Sequence, residues 1–207
     1  MRDPTHLFEG EVSPERYLLA RRVSVALQPT IITIPVFMLL CIPLLPDAAD
    51  YMIAVLVTTV FLSILPTILV YYFSYKTNNI DGDVEKREER MAPLIIGVLL
   101  YVLAGVAIML VEAPDLVRVF TWTYVISTFV VTLISTKWKI SIHMTGITGP
   151  VIALTVAFFP WGIVSAVLLP IVGWSRYVQR KHTPAQLAGG VIEGIIVTLL
   201  MFTLFLW

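Results

Sequence analysis

Residues 144–174 read MTGITGPVIALTVAFFPWGIVSAVLLPIVGW, a run with no charged side chain that is too long for one straight membrane crossing. A bilayer core about 30 Å thick takes about 20 apolar helical residues, within a range of about 17–25. Near the middle of the run stands Pro160-Trp161-Gly162, and neighbouring proline and glycine mark turns. The run therefore reads as two short helices folded into a hairpin. The competing reading is one long, kinked helix. Five further stretches, residues 24–45, 51–73, 93–111, 119–136 and 187–207, meet or approach spanning length, and Glu193 is their one charged residue. With the hairpin, the fold class is an all-α polytopic membrane bundle of about seven transmembrane helices; with the kinked helix it has six.

Charge placement favours the hairpin. Seven crossings put the N-terminus and residues 74–92, 137–143 and 175–186 on one membrane face, together with all but Arg118 of the 14 basic residues. Six crossings would send Arg176, Arg180 and Lys181 to the other side. Basic residues gather on the cytoplasmic face of membrane proteins, so that face, with the N-terminus, is expected in the cytoplasm of a cell membrane. Trp138, Trp161, Trp174 and Trp207 fall near expected helix ends, where aromatic belts sit.

Composition agrees. The 207 residues are 58% hydrophobic and 14% charged, with a mean hydropathy of +0.89. Soluble domains are about 45–50% apolar and about 25% charged, so a free-standing soluble domain is excluded. A net charge of zero gives no bulk attraction to nucleic acid. Cys41 is the single cysteine, which rules out a disulfide framework and reads as a small buried hydrophobe. Residues 1–20 carry Glu9, Glu11, Glu15 and Arg16 and lack the apolar core of a cleaved signal peptide. Leu7, Phe8, Tyr17, Leu18 and Leu19 amid those charges suit an interfacial segment over residues 1–22, leaving 23–207 as one transmembrane domain. Ala188-Gly189-Gly190, with Gly194 beyond, would let another backbone approach closely.

Three polar clusters, in residues 81–90, 137–143 and 175–186, are separated by two crossings each and must meet on one face. They hold His143 and His182, two of the three histidines. Arginine and lysine bind phosphate by charge-assisted hydrogen bonds, arginine with a bidentate fork. Two histidines beside such groups invite a division of labour in which one attacks phosphorus and the other protonates the leaving oxygen. The bland alternative, topology signalling and headgroup contact, accounts for Arg16, Arg21 and Arg22.

Ser175-Arg176, five residues, His182, three residues, Gln186 resembles the third signature of the type-2 phosphatidic acid phosphatase and vanadium haloperoxidase superfamily. That signature is Ser-Arg, five residues, His, three residues, Asp. Ser141-Ile142-His143 is similar to its second signature, Pro-Ser-Gly-His, with the serine and histidine kept. Arg90, with Pro93 three residues on, is similar to the end of its first, Lys, six residues, Arg-Pro. The resemblance covers residues 76–195 and points to a degenerate integral-membrane member. It implies a metal-independent lipid phosphate phosphatase with no cofactor. His182 would be the nucleophile, forming a phosphohistidine, and His143 the acid and then the base that activates water. Arg90, Ser141 and Arg176 would hold the phosphoryl oxygens.

The chain departs from the pattern at two positions. Asp83 occupies the place of the signature lysine; Lys86 and Arg87 share the helix face of Arg90 if that segment is helical and either could substitute, with Lys76 and Lys139 as further candidates. Gln186 replaces the signature aspartate. An amide oxygen orients an imidazole as a carboxylate does but does not stabilise its cation. Glu193, seven residues beyond Gln186 on the same helix face, is a candidate for the missing negative charge, since intramembrane carboxylates are functional by default; a glutamic acid bonded to a neighbouring helix is the structural alternative.

Other classes fit less well. Asn78-Asn79-Ile80-Asp81-Gly82-Asp83 faintly resembles the first aspartate motif of membrane prenyltransferases, but the second magnesium-binding motif is missing. The spaced aspartates of CDP-alcohol phosphotransferases do not follow Asp81-Gly82. The rival is a phosphatase fold of decayed chemistry that binds lipid phosphate or serves as a scaffold. The expected partners are the bilayer and a lipid phosphate or isoprenyl diphosphate substrate.

Overall fold

The structure is a computed structural model that describes residues 12–44, 46–76 and 88–206. Among the described residues it is all-α, with no strand. Its helices are α1 (Pro14–Ala26), α2 (Pro29–Leu40), α3 (Ala48–Thr59), α4 (Leu65–Lys76), α5 (Met91–Met109), α6 (Asp115–Ser135), α7 (Ile142–Ala157), α8 (Leu168–Val178) and α9 (Pro184–Phe205). A π-helical turn, Val60–Ile64, joins α3 to α4, and a 3-10 segment, Trp161–Val167, leads into α8.

Five helices are long and apolar enough to cross a membrane: Ala48–Lys76, Met91–Met109, Asp115–Ser135, Trp161–Val178 and Pro184–Phe205. The bent pair α1 and α2 makes a sixth if it is one span. Ile142–Ala157 is apolar but shorter, about 24 Å at 1.5 Å per residue. Lengths alone therefore give five or six spans rather than the expected seven. Large apolar side chains such as Met52, Leu56, Ile68, Leu99, Leu110, Trp161 and Leu204 lie exposed around the bundle. An apolar surface of that extent marks a binding or membrane surface, and it is compatible with a membrane protein.

The expected hairpin is present. Helix α7 ends at Ala157, and a Cβ on Gly162 would strike the Leu154 carbonyl. One on Gly173 would lie 3.8 Å from the Met144 side chain. Residues 162–173 thus run back along α7. The expected span over residues 24–45 is instead split, because α1 ends at Ala26 and α2 starts at Pro29 with a 44° bend between them. Proline disfavours helical backbone in the residue before it, and Gln28 is extended, with ψ 134°. The boundary expected between residues 22 and 23 falls inside α1. Pro66 likewise has no N–H for the Leu62 carbonyl, and the π turn that ends at Ile64 absorbs that mismatch without breaking the span.

The core is aromatic and joins four helices. Phe120 stacks on Phe37 of α2 with centroids 5.4 Å apart, and meets Phe202 of α9 edge-on at 6.1 Å. Tyr124 meets Tyr101 of α5 at 5.7 Å. Helices α7 and α9 pack backbone to backbone, since a Cβ on Gly190 would lie 2.6 Å from the Ser141 carbonyl oxygen and one on Gly194 2.7 Å from Thr148. The small-residue stripe thus provides the close approach expected of it.

Candidate active site

The start of α5, the starts of α7 and α9 and the end of α8 meet at one end of the bundle. Arg90 caps α5, and its Nη1 donates to the Ile140 carbonyl at 3.4 Å. Ser141 follows as the N-cap of α7, its Oγ accepting from Met144 N–H. The Ser141 N–H donates to the Gln186 carbonyl at 3.2 Å. These two bonds tie together the described parts of the three polar clusters.

The loop that presents His182 has a local cause. Helix α8 ends with Lys181 N–H on the Arg176 carbonyl at 3.1 Å and Arg180 N–H on the Tyr177 carbonyl at 2.9 Å. This is the Schellman pattern, which needs a left-handed residue, and Arg180 supplies it with φ 58°. A side chain in that conformation costs roughly 1–2 kcal/mol. The reversal delivers Thr183-Pro184-Ala185-Gln186 as a capping box at the start of α9. Gln186 N–H donates to Thr183 Oγ1 and Thr183 N–H to Gln186 Oε1, both at 3.2 Å.

His182 Nδ1 lies 3.2 Å from the same Gln186 Oε1. An oxygen already receiving the Thr183 N–H can only accept, so a neutral imidazole carries its proton on Nδ1 and keeps the Nε2 lone pair. The capping box was readable as a threonine followed three residues later by glutamine. It supplies a local reason for glutamine at 186 that comparison with the signature aspartate does not.

Arg90, Arg176, Lys181, His182 and Gln186 are all buried, with exposures between 2% and 8%. Arg176 reaches back to α1, where its Nη1 donates to Ser24 Oγ at 2.9 Å. Gln179 Nε2 donates to the Ala20 carbonyl at 3.3 Å. Ser24 and Gln179 had no signal in the sequence, because nothing local connects residues about 150 positions apart.

His143, half-buried, shares a cavity of about 130 Å³ with Arg90 and Gln28. Among the described residues, His182, Gln186 and Arg176 do not line that cavity. The structure thus joins the Arg90 side chain to the Ile140 carbonyl, Ser141 to Gln186 through their backbones, His182 to Gln186, and His143 to Arg90 around a cavity. Lys139 is half-buried in the turn before α7; Lys86 and Arg87 lie outside the described residues. Glu193 is buried two turns deeper, where both its carboxylate oxygens accept from Ser127 Oγ of α6, at 3.0 and 3.2 Å. No cluster of three or more histidine, cysteine or acidic side chains suited to a metal ion occurs among the described residues. Comparison with protein-family models, curated proteins and solved structures gave no match to this chain.

Proposed function

We propose that this chain is a membrane-embedded, metal-independent phosphatase that hydrolyses a lipid phosphate or isoprenyl diphosphate through a phosphohistidine. The reading rests on the signature-like residues and on one geometric observation: Gln186 Oε1 holds His182 Nδ1 at 3.2 Å where the starts of α5, α7 and α9 meet. In the proposed reaction, His182 Nε2 attacks phosphorus and the P–O bond to the leaving group breaks. His143 gives its proton to the departing oxygen. It then takes a proton from water, whose oxygen attacks the phosphohistidine and frees phosphate and His182. Arg90, Ser141, Arg176, Lys139 and either Lys86 or Arg87 are the proposed phosphate-binding groups.

The proposal includes seven crossings, with α7 as the short one, and a site on the cytoplasmic face. Arg90, Arg176 and Lys181 are buried at the site end of the bundle, and α1, which carries Arg16, Arg21 and Arg22, is bonded to α8 there, whereas Arg118 bonds Val111 beyond the far end of α5. That asymmetry supports the orientation. A second reading, a fold of impaired chemistry that binds lipid phosphate or acts as a scaffold, has its own support in Gln186 and in the engagement of Arg176 by Ser24. A phosphate-release screen separates them, using lipid monophosphates and diphosphates in EDTA with His182→Ala as the blank. Release lost in the variant supports the hydrolase; no release from any substrate leaves the binding protein.

A further inference from the structure

The cavity beside Arg90 and His143 continues inward. Leu69, Val70, Leu94 and Gly97 line it, and it shares Pro29, Leu94, Tyr101, Thr128 and Ile142 with a deeper chamber of about 70 Å³ that reaches Phe120. Of the seven hydroxyl side chains that line the deeper chamber, four are committed to the protein, and Tyr101, Thr128 and Thr198 supply the others. Thr123 Oγ1 donates to the Val119 carbonyl at 2.9 Å and Thr145 Oγ1 to the Gly190 carbonyl at 3.1 Å. Ser127 is taken by Glu193, and the Tyr124 hydroxyl by Thr33 at 2.9 Å. The rest of the lining, with Leu94, Phe120, Val131, Ile142 and Pro150, is carbon, and a space so largely apolar suits hydrocarbon better than water.

We infer that these two chambers form a slot for a single hydrocarbon chain of an amphiphile whose phosphate lies at the Arg90 and His143 end, and that Gly97 sets how long a chain enters. The inference rests on the phosphatase reading for the identity of the head group. A guanidinium and an imidazole at the mouth suit a phosphate, and one slot takes one chain. A Cβ on Gly97 would meet only Thr128 Cγ2, at 4.0 Å, so the glycine faces open cavity rather than a packed helix. It lies two turns along α5 from Arg90, roughly 10 Å at 1.5 Å per residue. A larger side chain there fills the slot at that depth, leaving room for a short chain and none for a long one.

The test is binding of hexylphosphonate and dodecylphosphonate to the full chain in phosphatidylcholine nanodiscs, with partitioning subtracted using empty discs. The wild-type protein prefers the dodecyl compound by at least tenfold. Gly97→Leu abolishes that preference while hexylphosphonate binding is kept, and Gly97→Ala falls between. A preference that survives Gly97→Leu overturns the proposal. Should Gly97→Leu fail to bind hexylphosphonate, Leu69→Trp fills the same chamber from α4, and a preference surviving there overturns it equally. Chain preference without phosphate release from hexyl or dodecyl phosphate keeps the slot and removes the hydrolase reading. Release without chain preference does the reverse.

Discussion

At residue scale, Gln186 serves both the His182 imidazole and the first turn of α9 with one amide oxygen. The two uses respond differently to substitution. Gln186→Glu keeps the length and the capping box, in which glutamate is equally at home, and adds the charge that stabilises an imidazolium. Removing such a charge from a Ser-His-Asp triad costs about 10⁴-fold in rate. Gln186→Glu is therefore expected to raise turnover by at least tenfold in steady-state phosphate release, whereas a scaffold gains nothing. Gln186→Ala loses both roles, and the hydrogen bond lost by the Thr183 N–H lowers stability by about 1 kcal/mol. Glu193 lies roughly 10 Å from Gln186 along the helix. At an effective dielectric of about 20, a carboxylate at that distance stabilises a cation by about 1.7 kcal/mol. Glu193→Gln keeps an acceptor for Ser127 and is expected to lower turnover roughly tenfold. Unchanged turnover and an unchanged pH profile would assign Glu193 to the bond between α6 and α9 alone.

At the scale of elements, the site depends on how closely α7 and α9 approach. In Gly190→Ala, the new Cβ would stand 2.6 Å from the Ser141 carbonyl oxygen and 2.8 Å from Met144 Cβ. Backbone must move, and overpacking of this kind costs about 1–3 kcal/mol. Thermal unfolding in detergent should show that loss for Gly190→Ala. Gly173→Ala, which would meet Met144 at an ordinary 3.8 Å, should stay within about 0.5 kcal/mol of wild type. Elements were legible in the sequence where a local residue dictates them. Pro160 and Gly162 announced the end of α7, the apolar runs announced α5, α6 and α9, and the small-residue stripe announced a close backbone approach to α9 without naming α7 as its partner. The break before Pro29 was legible in principle, yet a span reading passes over it because membrane helices tolerate proline, as α2 and α7 do at Pro35 and Pro150. The Arg176–Ser24 bond and the chambers around Gly97 arise from tertiary packing and leave no periodic trace.

At the scale of the whole molecule, the polar ends of α5, α7, α8 and α9 gather at one pole of the bundle, and the proposed chemistry depends on which side of the bilayer that pole faces. Single cysteines in a Cys41→Ser background test this with a membrane-impermeant thiol reagent. Lys137→Cys should label from the cytoplasmic side, and Glu112→Cys and Phe159→Cys from the other. Phe159 labelling together with Lys137 would make Ile142–Ala157 a re-entrant helix instead of a crossing. The central claim is that the buried pole hydrolyses phosphate through His182. The most direct measurement is to mix purified protein in EDTA with an isoprenyl diphosphate or phosphatidate labelled in its terminal phosphate, quench in alkali and map the label. The account predicts label on His182 that turns over to free phosphate and is absent in His182→Ala; phosphate release that persists undiminished in His182→Ala, or no labelled protein and no release at all, would contradict it.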